Sequence, residues 1–363
     1  MTKVCAFRDD NIQAFYVFTV VTRIKMQIIK NPQKILVVKP SSLGDVVHSL
    51  PFLNALKERF PKAEVHWVIA KGLEDLLTGH PMINRIWVIN KDMWKKLSHV
   101  RDSLHELRFF LKALKEENYD IVIDLQGLLR SGIMTLSTGA SFRIGFQEAR
   151  EGSRFFYTHR VKGGRDIHAV DRYLKIAAFL GCDINEVCFP LPLSFSSSCL
   201  PQHVLHGDYA VIAPGARWKT KRWPPEKFGE LSSILPLRTL IVGSKGDMDI
   251  AREVVALSGG KAVSLAGKTN LKELIEVIRG ARFFVSNDSG PMHIAAALDI
   301  PVFAIFGPTD PLRTGPYGSR HTVIRKDVSC APCFKRICND FKCMKSLSVA
   351  KVYEIIQENQ LQP

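Results

Sequence analysis

Apolar runs of six to eight residues alternate along the chain with longer stretches of helical periodicity. In the first half the strand candidates are KILVVK (34–39), EVHWVI (64–69), RIWVIN (85–90) and DIVIDL (120–125). In the second they are YAVIAP (209–214), RTLIVG (238–243), KAVSLAG (261–267), ARFFVSND (281–288) and PVFAIFG (301–307). The longest helical stretch spans 97–117 and leads into the charged run KALKEENYD. Short apolar strands alternating with helices build parallel sheets in doubly wound layers. The expected fold class is therefore α/β, with two Rossmann-like doubly wound domains facing each other across a cleft. The first covers 34–188 and the second 208–348. Between them FPLPLSFSSSCLPQHVLHG (189–207), rich in Pro and Ser, reads as a linker.

Residues 1–33 do not share this pattern. IQAFYVFTVVTRIKMQII is apolar over 18 positions but carries Arg23 and Lys25 and lacks a small-residue cleavage site. It is a poor signal peptide and a marginal span. It reads either as an upstream extension, with Met26 as the functional start, or as a segment that touches a membrane surface. No other segment has the length and apolarity to cross a bilayer, which places the body of the protein in the cytoplasm or at the membrane periphery.

A length of 363 residues favours about two domains. Fifty Lys and Arg against 35 Asp and Glu leave a net charge of +15, which favours an anionic partner: nucleic acid, a membrane surface or a phosphorylated substrate. The basic residues are spread along the chain with no arginine-rich tail and no aromatic-interleaved stripe, which counts against nucleic acid.

Open α/β sheets bind ligands at the carboxyl ends of their strands. The loop KPSSLGD after the first strand lies at that end, with Gly44 allowing close backbone approach and Asp45 presented to a ligand. Locally, Asp45 reads equally well as a cap on the following helix. In FFVSNDSGPMHIAAAL (283–298) a buried strand ends at Asn287-Asp288, Ser289-Gly290 make the turn, and Pro291 opens a helix. Free N–H groups at such a helix start suit a pyrophosphate, and His293 one turn in could face the same anion. APGARWKTKRWPPEKF (213–228) adds Lys219, Lys221 and Arg222 on a loop at the same sheet edge, although one basic residue of the three would suffice.

Other motifs are decoys. G-x-G-x-x-G is absent from both halves. AVSLAGKTNLKEL imitates a P-loop but has Ala262 where the first glycine belongs, and its Asn270 and Glu273 instead form a capping box. DMD (247–249) imitates an acid-x-acid metal site but sits after Gly243 at a helix start, where acids favour the dipole. Cys330, Cys333, Cys338 and Cys343 invite a zinc reading, yet their second pair is spaced by four residues, and reduced thiols are the leading reading.

Taken together these residues resemble glycosyltransferase family 9, the ADP-heptose:lipopolysaccharide heptosyltransferases, over residues 34 to 358. The resemblance rests on KPSSLGDVVHSLP, YDIVIDLQGLLRS (119–131), EAREGSRFFY (148–157), KRWPPE (221–226), NDSGPMHIAAAL and FGPTDPLRTGPYG (306–318). DLQGL and AREGSRFFY are more similar to type I, which adds the first heptose to Kdo, than to type II. The second half is similar to both. The resemblance implies a GT-B architecture and an inverting, metal-independent transfer of heptose from ADP-heptose to a Kdo–lipid A type acceptor at the inner membrane, with no cofactor beyond the donor. It implies Asp45 as general base. It implies Lys221, Asp247, Asp288, Ser289, Gly290, His293 and Gly243 toward the donor, and Ser41, Ser42, Gly44, Gln126 and Arg150 toward the acceptor. It further implies that the terminal helix VAKVYEIIQENQ (349–360) crosses back to the first domain. Arg217 and Asp247 depart from residues some members carry, a small hydroxyl and a Glu. A sugar-nucleotide epimerase or hydrolase on the same fold, and a non-enzymatic anion-binding protein, are the alternatives.

Overall fold

The computed structural model describes residues 4–7, 31–90, 100–192 and 205–360. The apolar stretch that begins at Ile12 and most of the Pro/Ser-rich segment lie outside the described residues. The chain divides into two compact units after Pro192.

The first unit runs β1 (Val4–Phe7), β2 (Lys34–Val38), α1 (Leu43–His48), α2 (Leu50–Arg59), β3 (Glu64–Ala70), β4 (Arg85–Ile89), α3 (Val100–Glu116), β5 (Ile121–Asp124), α4 (Leu129–Ser137), β6 (Phe142–Phe146), β7 (His159–Val161), α5 (Ala169–Phe179) and β8 (Glu186–Phe189). Six strands form one sheet in the order β4-β3-β2-β5-β6-β7, and every pairing in it is parallel. β2 and β5 lie in its middle with Ile35 to Val38 and Ile121 to Asp124 inaccessible to solvent, which is why ILVV and IVI read as apolar runs. β1, from the N-terminal extension, pairs antiparallel with β8, placing Cys5 opposite Cys188 in register.

The second unit contains β9 (Tyr209–Ala213), α6 (Pro225–Ile234), β10 (Arg238–Ile241), α7 (Met248–Ala256), β11 (Ala262–Ser264), α8 (Leu271–Arg279), β12 (Phe284–Asn287), α9 (Gly290–Ala297), β13 (Val302–Phe306), β14 (Thr322–Arg325) and α10 (Val349–Gln360). Its sheet order is β11-β10-β9-β12-β13-β14, again wholly parallel. Counted within each unit, both sheets have the strand order 3-2-1-4-5-6 of a dinucleotide-binding fold. The terminal helix, which the resemblance sends back to the first domain, contributes Val349, Val352 and Ile356 to the core of this second unit beside Phe228 and Trp223. Its apolar stripe is buried here, and Trp223 Nε1 donates to Leu347 O at 3.1 Å just before it.

The strands the apolar runs miss are short and lie toward sheet edges. β6 interrupts its apolar residues with Arg143 and Gly145, and β7 and β14 are edge strands of three and four residues. An edge strand buries too little of itself to carry a continuous apolar signal.

Candidate active site

In a sheet of order 3-2-1-4-5-6 the crevice opens where the first and fourth strands part. In the first unit those strands are β2 and β5, and the loops leaving them hold the sequence-chosen residues. Lys39 follows β2 and is buried. Its Nζ lies 3.4 Å from Leu125 O, 3.8 Å from Asp45 Oδ1 and 5.1 Å from the Tyr173 ring centroid. Burial alone would lower the Lys39 pKa. Asp45, Tyr173 and Asp124 outweigh that, and the net shift is upward, so the ammonium stays charged. Asp45 stands at the third position of α1. Its Oδ2 accepts the Ser42 N–H at 2.9 Å and the Ser42 hydroxyl at 2.5 Å, and Tyr173 Oη donates to Oδ1 at 3.4 Å. The carboxylate is 41% exposed, while Lys39 beneath it is closed to water.

The β5 loop is drawn to the same place by Asp124, which is wholly buried. Its Oδ1 accepts Gln126 N–H at 2.8 Å and Gly127 N–H at 2.9 Å, and its Oδ2 accepts the Tyr157 hydroxyl at 2.7 Å. Burial raises the Asp124 pKa against the pull of these donors. Gln126 Oε1 accepts the Ser41 N–H at 3.4 Å, and Arg150 N donates to Gly127 O at 2.9 Å. Ser41, Ser42, Gly44, Asp45, Gln126 and the backbone of Arg150 therefore share one end of one sheet.

In the second unit the equivalent strands are β9 and β12. The β9 loop turns through Lys219–Lys221 and is held by Asn287, whose Oδ1 accepts Trp223 N–H at 2.9 Å and whose Nδ2 donates to Pro214 O at 2.7 Å. Lys221 Nζ reaches Asp288 Oδ2 at 2.5 Å, 4.7 Å from the Trp218 ring centroid, and Thr309 Oγ1 donates to the same carboxylate oxygen at 2.7 Å. Ser289 is the N-cap of α9, whose first residues Gly290 and Pro291 leave N–H groups of the next turn directed outward. His293 is 6% exposed within that helix. After β10, Asp247 Oδ2 accepts Ser244 N–H at 2.9 Å and the Ser244 hydroxyl at 2.6 Å. A Cβ on Gly215 would lie 2.5 Å from the Asp247 carboxylate, and one on Gly243 would lie 2.9 Å from its Cβ. The loops after β9 and β13 thus meet Asp288 just before α9, and the loop after β10 lies against Gly215 of the β9 loop.

Of the basic trio, Lys221 alone meets Asp288. Arg222 Nε is spent on Ala216 O at 2.7 Å, and Lys219 is exposed. The Asn270–Glu273 capping box forms, with reciprocal bonds of 2.9 and 2.8 Å. Cys330, Cys333, Cys338 and Cys343 are free thiols, and burial followed by the three neighbouring sulfurs raises the Cys343 pKa. Among the described residues no three His, Cys, Asp or Glu side chains are set to hold a metal ion. Sequence reasoning missed Lys39, Tyr173, Asp124, Thr309 and Gly215. Lys39, Asp124 and Thr309 border recognised loops and could have been found there. Nothing local marks Tyr173, which is 128 residues from its partner.

The model of glycosyltransferase family 9 (heptosyltransferase) matches residues 107–344. Lipopolysaccharide heptosyltransferase 1 of Pseudomonas aeruginosa is 34% identical over 319 residues, covering 84% of this chain and 87% of its own. Lipopolysaccharide heptosyltransferase 2 of Escherichia coli is 28% identical over 312 residues, covering 80% and 88%. The E. coli heptosyltransferase WaaC, solved with ADP, superposes with a TM-score of 0.73 at 28% identity, covering 90% of this chain and all of that one. With a family match across most of the chain and a GT-B fold shared with a solved member, this protein belongs to glycosyltransferase family 9, the heptosyltransferases.

Proposed function

We propose that this heptosyltransferase of lipopolysaccharide core biosynthesis takes its sugar from ADP-heptose and transfers it with inversion to a Kdo-bearing lipid acceptor, placing the first heptose. The observation that carries the reading is that both sets of site residues fall where the first and fourth strands part, one set built around a carboxylate and the other around a cation at a helix start. E. coli WaaC was solved with ADP-2-deoxy-2-fluoro heptose, which supports the same donor class here. The preference for type I over type II follows the higher identity to heptosyltransferase 1.

The first unit takes the acceptor. Asp45 accepts the proton of the attacking hydroxyl as its oxygen bonds to C1 of the heptose and the bond from C1 to the diphosphate oxygen breaks. A free alcohol is far too weak an acid to lose its proton beforehand to a carboxylate of ordinary pKa near 4, so proton transfer accompanies attack. The buried Lys39 ammonium balances the carboxylate while it waits, and Ser42 and Tyr173 hold its orientation.

The second unit takes the donor. Charge that develops on the departing diphosphate is met by Lys221 and the N–H groups opening α9. Asp288 is itself an anion, so it acts by aiming Lys221 rather than by touching phosphate, and Thr309 fixes it in turn. Asp247, on the loop beside Gly215 and Gly243, binds the ribose in this reading.

The test is mass-spectrometric analysis of the product from defined Kdo–lipid A and ADP-heptose. One heptose added to the Kdo lipid, with ADP released only when acceptor is present, is expected. Turnover of ADP-heptose without acceptor would replace this reading with the epimerase or hydrolase. Transfer only to an acceptor that already bears heptose would make the enzyme type II.

A further inference from the structure

A helix lying over a parallel sheet normally turns polar residues to water. α4 does not. Ser131, Met134 and Thr135 cover the sheet, and the opposite stripe of Leu129, Ile133 and Leu136 is exposed. The 3-10 turn Ser153–Phe156 packs against the same helix: a Cβ on Gly132 would lie 2.4 Å from the Phe156 ring, and Leu129 N–H bonds the Glu151 carboxylate at 3.1 Å. From that turn Phe155 projects, 66% exposed, with the guanidinium groups of Arg154 and Arg160 at 4.9 and 5.9 Å from its ring centroid. The patch is apolar at its centre and basic beside the aromatic ring.

We propose that α4 and the Ser153–Phe156 turn are the surface by which the first unit docks onto an anionic lipid bilayer. The apolar stripe and Phe155 enter the boundary between headgroups and acyl chains, and Arg154 and Arg160 meet lipid phosphates. Charge selects this occupant. A second copy of the chain would bring arginines against arginines, whereas an anionic bilayer complements both them and the net charge of +15. Position agrees, because α4 begins directly after Gln126-Gly127-Leu128, at the sheet end that holds Asp45. The proposal rests on the reading of the acceptor as a lipid: its sugar must reach Asp45 while its acyl chains stay in the membrane, so the surface around that sheet end must lie on the bilayer.

The test is co-sedimentation of the full-length protein with vesicles of phosphatidylglycerol and phosphatidylethanolamine, or of phosphatidylcholine alone, at low and high salt. Wild-type protein is expected on the anionic vesicles, released by salt and weak on phosphatidylcholine. R154Q/R160Q is expected to lower partitioning about 30-fold, from two lost surface charges. I133S/L136S/F155S is expected to lower it by about tenfold or more. L312S/I337S, which removes exposed apolar residues of the second unit, is expected to leave it unchanged. Any of three results overturns the proposal: no binding of wild type to anionic vesicles, unchanged binding of both patch variants, or loss only in L312S/I337S. Light scattering that shows a wild-type dimer converted to monomer by I133S/L136S/F155S also overturns it, assigning the patch to self-association. Transfer to a Kdo acceptor stripped of its acyl chains separates this idea from the activity it rests on. If patch variants keep that transfer but leave the vesicles, docking stands. If wild type transfers nothing yet the vesicle pattern holds, the activity reading falls alone.

Discussion

Asp45 divides its two carboxylate oxygens between different partners. One accepts both donors of Ser42 and stiffens the start of α1; the other faces Tyr173 and Lys39. Asp45→Asn separates the two duties, because an amide oxygen can still accept the Ser42 N–H but cannot take up a proton. Loss of a general base lowers kcat by about 10²–10⁴. Lys39 also loses its counter-charge, which costs about 1–2 kcal/mol once the exposure of the carboxylate is allowed for. The expected variant melts slightly earlier than wild type, binds ADP-heptose normally and transfers almost nothing. Steady-state kinetics showing kcat within about threefold of wild type would leave Asp45 a helix cap only.

At the scale of elements, one turn occurs twice among the described residues. Ser42-Leu43-Gly44-Asp45 and Ser244-Lys245-Gly246-Asp247 each fold so that an acid three residues on accepts the serine N–H and hydroxyl. What surrounds the turn sets its task. Lys39 and Tyr173 stand against the first acid, and the bare backbones of Gly215 and Gly243 against the second. Gly215→Ala places a methyl group 2.5 Å from the Asp247 carboxylate, so the loop after β10 must move. Overpacking of this kind costs about 1–3 kcal/mol, and here the strain falls on a surface loop beside the proposed donor site. Calorimetry is expected to show ADP binding weakened by about tenfold or more, with the circular dichroism spectrum unchanged. Undiminished ADP affinity would detach Asp247 from the donor.

For the whole molecule, buried histidines set the acid limit. His66 lies 2.8 Å from Tyr119 Oη, and His80 Nε2 lies 2.6 Å from Pro190 O. Burial lowers the pKa of both, and it lowers His321 to about 4. The unfolded chain binds these protons near pH 6.5. The stability tied to their neutral forms is therefore complete above that value and is lost as pH falls toward the folded pKa, about 4 for His321. Melting temperatures measured from pH 7.5 to 4.5 should decline across this window, and His321→Gln should decline less steeply. An unchanged slope in that variant would exclude His321 as a contributor. Glu117, held low by its hydrogen bond to Lys34, adds its own loss from the ordinary carboxylate value of 4.5 downward, so most of the histidine window lies above it.

The amino-acid sequence by itself determined the interior strands, their alternation with helices and the loops that carry the candidate site. Each of these follows from burial or backbone chemistry local to one segment: β9 and β13 are apolar throughout and β2 and β5 nearly so because both faces are covered, and Pro291 after Ser289-Gly290 opens a helix whatever lies nearby. Only the tertiary structure decided which residues complete those loops. Lys39 meets Tyr173 across 134 positions, Asp124 organises a loop through Tyr157 across 33, and Asp288 receives Lys221 across 67. The terminal helix shows the same division, since its periodicity defined its length while packing placed its apolar stripe on the second unit's core. An apolar period records that a face is buried and carries no address for its partner. The address comes from sheet order, which brings residues distant in the chain to one sheet end.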